Sequence, residues 1–287
     1  MNILILGGNG YLGSKVASRM CTKHNVVCTK RTECNIERIK DFMEKITWIP
    51  STADAIEAAM QYTSFDIIIN MVSNYGRSDA LYSNVLEANL EFPLRVLNKG
   101  CEHSVKKFIT IGTGLPDEFN MYSFSKKQLA EFGRYYARKE KINFCNLKLE
   151  MFYGEDEPLD RFIPNTIVKM IKGEPVYTTF GTQRRDIICV EDVLTAIEIV
   201  VNTQLEGYHD IPVGTGIAPT IASVIDFIHV KTGCRSIVSK GAYPMRNNEP
   251  DCVADVSLLN SIGDFRPVFW QDGIENMINK ITERIAH

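Results

Sequence analysis

The chain has 287 residues, 45% apolar and 23% charged, with a formal net charge of −3. That profile suits a globular protein with one large domain or a core domain and a smaller lobe. The near-neutral balance gives no global signal for nucleic acid or an anionic membrane, and no apolar run approaches the length of a membrane span.

The first predicted strand, Ile3–Leu6, is too short for the apolar core of a secretory signal, so a cytoplasmic protein is expected. It leads directly into Gly7-Gly8-Asn9-Gly10-Tyr11-Leu12-Gly13 and a helix predicted near Tyr11–His24. A helix N-terminus there presents amide hydrogens and a positive dipole end, which suit a pyrophosphate. The glycines permit a tight turn and close backbone approach, so Gly7, Gly10, Tyr11, Leu12 and Gly13 are predicted to bind a dinucleotide. A second strand at Val26–Thr29 runs into Lys30-Arg31, with no acid until Glu33. An acid there would grip the ribose diol of NAD, whereas cations accommodate the 2′-phosphate of NADP, so NADP(H) is the expected cofactor. Arg31 is preferred over Lys30 because guanidinium forks onto phosphate; a solvated basic turn is the alternative.

Further strands are predicted at Thr47–Ile49, Ile67–Met71, Phe108–Ile111 and Phe144–Leu149, and helices near Ala53–Gln61, Leu81–Glu102 and Tyr122–Lys139. This alternation implies right-handed crossovers and a doubly wound α/β fold with a parallel sheet covered on both faces. After about residue 153 the regularity breaks and eight of the 11 prolines appear, which reads as a smaller, irregular lobe. The expected division is a Rossmann-type dinucleotide-binding domain at 1–153, with a return segment at about 184–212, and a substrate-binding lobe at 154–183 and 213–287. Eight cysteines, never spaced Cys-x-x-Cys, read as small core residues, and five scattered histidines suggest no metal.

The pattern Tyr-x-x-x-Lys occurs at Tyr11/Lys15, Tyr122/Lys126 and Tyr135/Lys139. Residues four apart share one helix face, and a cationic neighbour favours phenolate, making tyrosine a usable acid/base near neutral pH. The first pair belongs to the glycine loop. The third lies 13 residues beyond Tyr122, roughly 20 Å along the same helix and out of reach of the same ligand. Tyr122 starts its helix soon after a strand end carrying the hydroxyl of Thr113, facing the ends of the sheet where ligands bind. Thr110 is the rival hydroxyl, set within the strand.

Taken together, these residues resemble the extended short-chain dehydrogenase/reductase family (the NAD-dependent epimerase/dehydratase family) acting on nucleotide-linked sugars. The resemblance extends through Asn89, Phe152-Tyr153-Gly154, Arg161-Phe162-Ile163-Pro164, Arg184-Arg185-Asp186, Val190-Glu191-Asp192-Val193, Arg246 and Asp255. It implies Thr113, Tyr122 and Lys126 as catalytic residues, with Phe162, Arg185 and Arg246 toward a nucleotide-diphosphate sugar, and a homodimer built through helices. Tyr122 follows Thr113 by nine residues, less than is usual in the family, so an opened sugar pocket or a displaced Thr113 is expected. The Asp-Glu pair of a 4,6-dehydratase and the cysteine of a 3,5-epimerising reductase are missing beside Thr113, and no acid directly follows the second strand. What remains resembles the CDP-abequose synthase-like and dTDP-6-deoxyhexose 4-ketoreductases, which implies NADPH-dependent reduction of a 4-keto sugar. A 4-epimerase holding NAD and a non-catalytic NADP sensor on the same fold are the alternatives.

Overall fold

The computed structural model describes residues 1–31, 37–76 and 81–286; Glu33 and Cys34 lie outside the described residues. The first elements are β1 (Asn2–Leu6), α1 (Tyr11–Met20), β2 (Asn25–Lys30), β3 (Thr47–Pro50), α2 (Ala53–Tyr62) and β4 (Ile67–Asn70). There follow α3 (Tyr82–Leu86), α4 (Phe92–Glu102), β5 (Lys107–Ile111), α5 (Met121–Arg138), β6 (Asn143–Leu149) and β7 (Met151–Tyr153). The remainder comprises α6 (Phe162–Ile171), β8 (Val176–Thr178), β9 (Ile187–Cys189), α7 (Val190–Asn202), β10 (Tyr208–Val213) and α8 (Ile221–Thr232). The chain closes with β11 (Val238–Lys240), α9 (Ser257–Ile262) and α10 (Trp270–Ala286). Two compact units result: Met1–Lys148 with Ala196–Ile211, and Leu149–Thr195 with Pro212–His287.

The first unit is built on a seven-stranded sheet of order β10-β6-β5-β4-β1-β2-β3. Its pairs from β2–β3 through β5–β6 are parallel. The bonds Phe144 N to Gly207 O and Glu150 N to Val213 O keep one offset, which makes β10 parallel as well. Strands buried on both faces explain the apolar runs Ile-Leu-Ile-Leu in β1 and Ile-Ile-Ile in β4. Leu4, Leu6, Ile68, Phe108 and Phe144 anchor the core, with the rings of Phe108 and Phe144 stacked at 5.4 Å. The strand order reverses between β1 and β4, so the carboxyl ends of those strands flank the crevice where open α/β sheets take ligands.

Two helices differ from expectation. The first stops at Met20, beyond which the amides of Lys23 and His24 both bond the Met20 carbonyl in a turn. The stretch predicted as one helix from Leu81 to Glu102 contains a wide π turn at Glu87–Glu91 between α3 and α4. Pro93 lacks the amide that would close a regular bond, and Asn89 is fully buried with its side chain engaged elsewhere.

The second unit has two short parallel pairs, β7 with β9 and β8 with β11. Around them α6, α8 and α10 pack through residues such as Ile163, Ile167, Val224, Ile228, Ile274 and Ile278. The buried carboxylate of Asp186 bolts this unit together. It accepts from the amides of Thr215 (2.8 Å), Gly216 (2.9 Å) and Ala254 (3.2 Å) and from the Thr215 hydroxyl (2.7 Å).

Candidate functional site

The glycine loop has the shape a pyrophosphate requires. Gly7 sits at φ +78°, a left-handed conformation that disfavours side chains, and its amide donates to the Thr29 hydroxyl at 2.9 Å. A Cβ on Gly13 would overlap the Gly7 carbonyl oxygen, so helix and loop close only through glycine. Gly10 caps α1 with extended backbone and no side-chain bond, and the first turn carries no acid. The first-turn amides and the positive dipole end of α1 suit an anion. Motif spacing alone does not single out Gly8 or Thr29. A Cβ on Gly8 would come within 2.7 Å of the Cys28 sulfur, a contact set by strand pairing and invisible to motif spacing. Lys30 ends β2 with its ammonium 5.9 Å from the Trp48 ring centroid, and Arg31 follows it, exposed.

The three Tyr/Lys pairs separate by environment. Lys15 lies over the Tyr11 ring at 5.5 Å and Lys139 over the Tyr135 ring at 5.9 Å, both as cation–π contacts. Tyr135 is 59% exposed, whereas Tyr122 is 8% and Lys126 3% exposed. The buried pair opens α5, whose start is fixed by a reciprocal cap between Asn120 and Ser123. Lys126 Nζ donates to the Val72 carbonyl at 2.8 Å, and burial pushes its pKa down to about 7. Burial thus works against the ammonium that the sequence reading assigns to this lysine. A nearby anion would restore the charge.

Thr113 follows β5 and keeps its hydroxyl close to the chain, accepting from the Leu115 amide at 3.2 Å. It shares a small cavity of about 20 Å³ with Lys126, Asn146 and Asp210. Thr110, the rival, is buried and takes a bond from Asn70 Nδ2 at 3.0 Å, rung to rung across β4 and β5. That contact makes it part of the sheet.

The π turn brings Asn89 onto the site. Its side chain accepts from the Asn74 amide (2.8 Å) and donates to the Asn74 carbonyl (2.8 Å) and to Ser125 Oγ (3.0 Å). Ser125 Oγ in turn donates to the Tyr122 carbonyl at 2.8 Å. Beside Asn74, the Tyr75 ring packs on the Tyr122 ring with centroids 4.8 Å apart. Neither Asn74 nor Tyr75 carried a motif.

The larger cavity belongs to the second unit and measures about 390 Å³. Phe162, Lys169, Tyr177, Gln183, Arg185 and Tyr243 are among its walls, a mixture of aromatic, amide and cationic groups suited to a nucleotide. Of the residues expected to bind the substrate, Phe162 and Arg185 line it. Arg185 is only 8% exposed, and its guanidinium is paired with Glu249 and donates to the carbonyls of Arg184 and Pro250. Its donors are thus engaged within the protein, through partners more than sixty residues away that sequence spacing does not reveal. Arg246 is exposed and is not among the residues lining the cavity. Among the described residues no metal-ligating cluster of His, Cys, Asp and Glu occurs, and no helix is long and apolar enough to cross a membrane.

The sequence model of the NAD dependent epimerase/dehydratase family matches residues 3–214. The CDP-abequose synthase of Salmonella typhimurium is 26% identical over 296 residues, covering 97% of this chain and 98% of that protein. Among solved structures, the UDP-glucose 4-epimerase of Thermotoga maritima with UDP-glucose superposes with a TM-score of 0.86 at 18% identity, covering 99% of this chain and 100% of that one. The UDP-glucuronic acid 4-epimerase of Bacillus cereus, in complex with UDP-glucuronic acid and NAD, gives 0.85 at 17% identity, covering 98% and 100%.

Proposed function

Because the chain belongs to the NAD dependent epimerase/dehydratase family, we propose that it is an NADPH-dependent reductase of a nucleotide-linked 4-keto-6-deoxy sugar. The observation that carries this reading is the buried Tyr122/Lys126 pair, the one of three such pairs withdrawn from solvent and placed after the carboxyl end of β5. The similarity to a CDP-abequose synthase over nearly the full length of both chains supports it.

In this mechanism the phenol of Tyr122 donates its proton to the oxygen developing negative charge at C4. Lys126, once charged, favours the phenolate left behind, and the Thr113 hydroxyl hydrogen-bonds the same oxygen. The loop of Gly7, Gly10 and Gly13 and the start of α1 at Tyr11 and Leu12 hold the cofactor's pyrophosphate, while Lys30 and Arg31 take the 2′-phosphate. The bound cofactor supplies the hydride. In the second unit, Phe162, Tyr177 and Tyr243 offer aromatic faces to the nucleotide and Lys169 offers positive charge to its diphosphate, with Arg185, held by Glu249, in the cavity wall and the exposed Arg246 outside that lining.

The test is a panel of CDP-, dTDP-, GDP- and UDP-linked 4-keto sugars with NADPH oxidation followed. Turnover of at least one member is expected. Protein purifying with stoichiometric bound NAD points to the 4-epimerase instead, and no turnover on any member points to the non-catalytic NADP sensor. The cofactor assignment has its own check. Replacing both Lys30→Ala and Arg31→Ala removes charge-assisted contacts and is expected to raise the NADPH KM about tenfold to a hundredfold, leaving that for NADH nearly unchanged. A wild-type preference for NADH would count against NADPH.

A further inference from the structure

We propose that Tyr75 is a positioning residue for the reaction: its ring walls one face of the Tyr122 phenol and fixes how that phenol is presented. The inference rests on the reading of Tyr122 as proton donor. The two rings lie 4.8 Å apart at 33°, within the range of attractive aromatic pairs. Tyr75 is the outer member, 37% exposed against 8% for Tyr122.

What distinguishes this contact from chance packing is how firmly the outer ring's backbone is held. Loops after strands are ordinarily mobile. Here every polar group of Asn74, the preceding residue, is engaged. Its amide and carbonyl bind Asn89, its Oδ1 accepts from the Gly76 amide at 3.0 Å, and its Nδ2 donates to the Asn84 carbonyl at 3.4 Å. The same Asn89 side chain donates to Ser125, which holds the Tyr122 carbonyl. One buried amide therefore fixes the backbone beside Tyr75 and, through one hydroxyl, the backbone of Tyr122. The side chains then close the circuit through their tilted ring contact.

A tyrosine needs such a neighbour. The torsion that turns its ring plane is broad, so the backbone alone leaves the ring orientation loosely set. Proton transfer requires the donor oxygen within about 2.6–3.2 Å of its acceptor, and small misplacements are costly. A clamped aromatic wall supplies the missing restraint and keeps water from that face.

The experiment measures kcat, KM and NADPH affinity for Tyr75→Ala, Tyr75→Leu and Tyr75→Phe, with thermal midpoints as a control on folding. The alanine and leucine variants are expected to lose about tenfold in kcat, with NADPH affinity unchanged, and Tyr75→Phe to recover most of the loss. A purely structural role would lower the midpoint without this split. Wild-type kcat in the alanine and leucine variants overturns the inference, as does a phenylalanine variant as impaired as alanine. Absence of turnover by the wild type on every sugar nucleotide overturns the proton-donor reading, and the inference with it.

Discussion

Tyr122→Phe is expected to lower kcat by about a thousandfold, the typical contribution of a positioned general acid. The substitution keeps the ring that packs on Tyr75 and removes only the hydroxyl, so the fold and cofactor affinity should survive. The comparison that gives the result meaning is Tyr135→Phe, which makes the same chemical change on the same helix at an exposed site 13 residues on. That variant should turn over like the wild type. If Tyr122→Phe also retains full turnover on a 4-keto sugar nucleotide, the proton comes from elsewhere and the assignment fails.

The second large effect concerns Lys126, and it has opposite signs for activity and stability. An ammonium costs free energy in a site 3% exposed, which is why its pKa falls from 10.5 to about 7. Between those pH values the unfolded chain holds a proton that the folded protein does not. Stability measured without added cofactor should therefore rise by about 1.4 kcal/mol per pH unit from pH 7 toward 10.5, and be flat in this term below pH 7. Lys126→Met should abolish that slope. It also orphans the Val72 carbonyl that Nζ satisfies, a loss of about 1–3 kcal/mol against a linkage gain of up to about 4 at pH 7. The net expectation is a variant about 1–3 kcal/mol more stable at neutral pH and nearly inactive. Thermal melts across pH 7 to 10 check both parts; a midpoint that falls with the methionine, or a slope that persists, would show that Lys126 is not the group that titrates.

Much of the first unit was legible because its strands are buried on both faces and write themselves as apolar runs. The loop Gly7 to Gly13 announced itself through glycine spacing, and position along the chain separated Tyr122 from its two imitators. Other features were hidden for a physical reason: they depend on partners distant in sequence. Gly8 is small because Cys28 on the neighbouring strand lies beneath it. Tyr75 meets Tyr122 across 47 positions, and Arg185 pairs with Glu249 across 64. The lowered pKa of Lys126 follows from burial, which a Tyr-x-x-x-Lys pattern does not encode. The second unit was least readable, since its strands are only three residues each and carry no usable period.

The wide turn at Glu87–Glu91 also has a bearing on which changes the chain can tolerate. Among the buried positions from Val85 to Gly100, which also include Phe92 and Leu97, those at 85, 89, 93, 96 and 100 fall one per turn and complete four turns in 15 residues. An unbroken α-helix at 3.6 residues per turn would carry the last of them about 60° off that line. The wide turn absorbs this drift, letting Asn89 and the apolar stripe of α4 face the protein interior together. Deleting a single residue there would yield a more regular helix that aims one of its ends the wrong way. The stretch should accept many substitutions on its outer side while refusing any change in length.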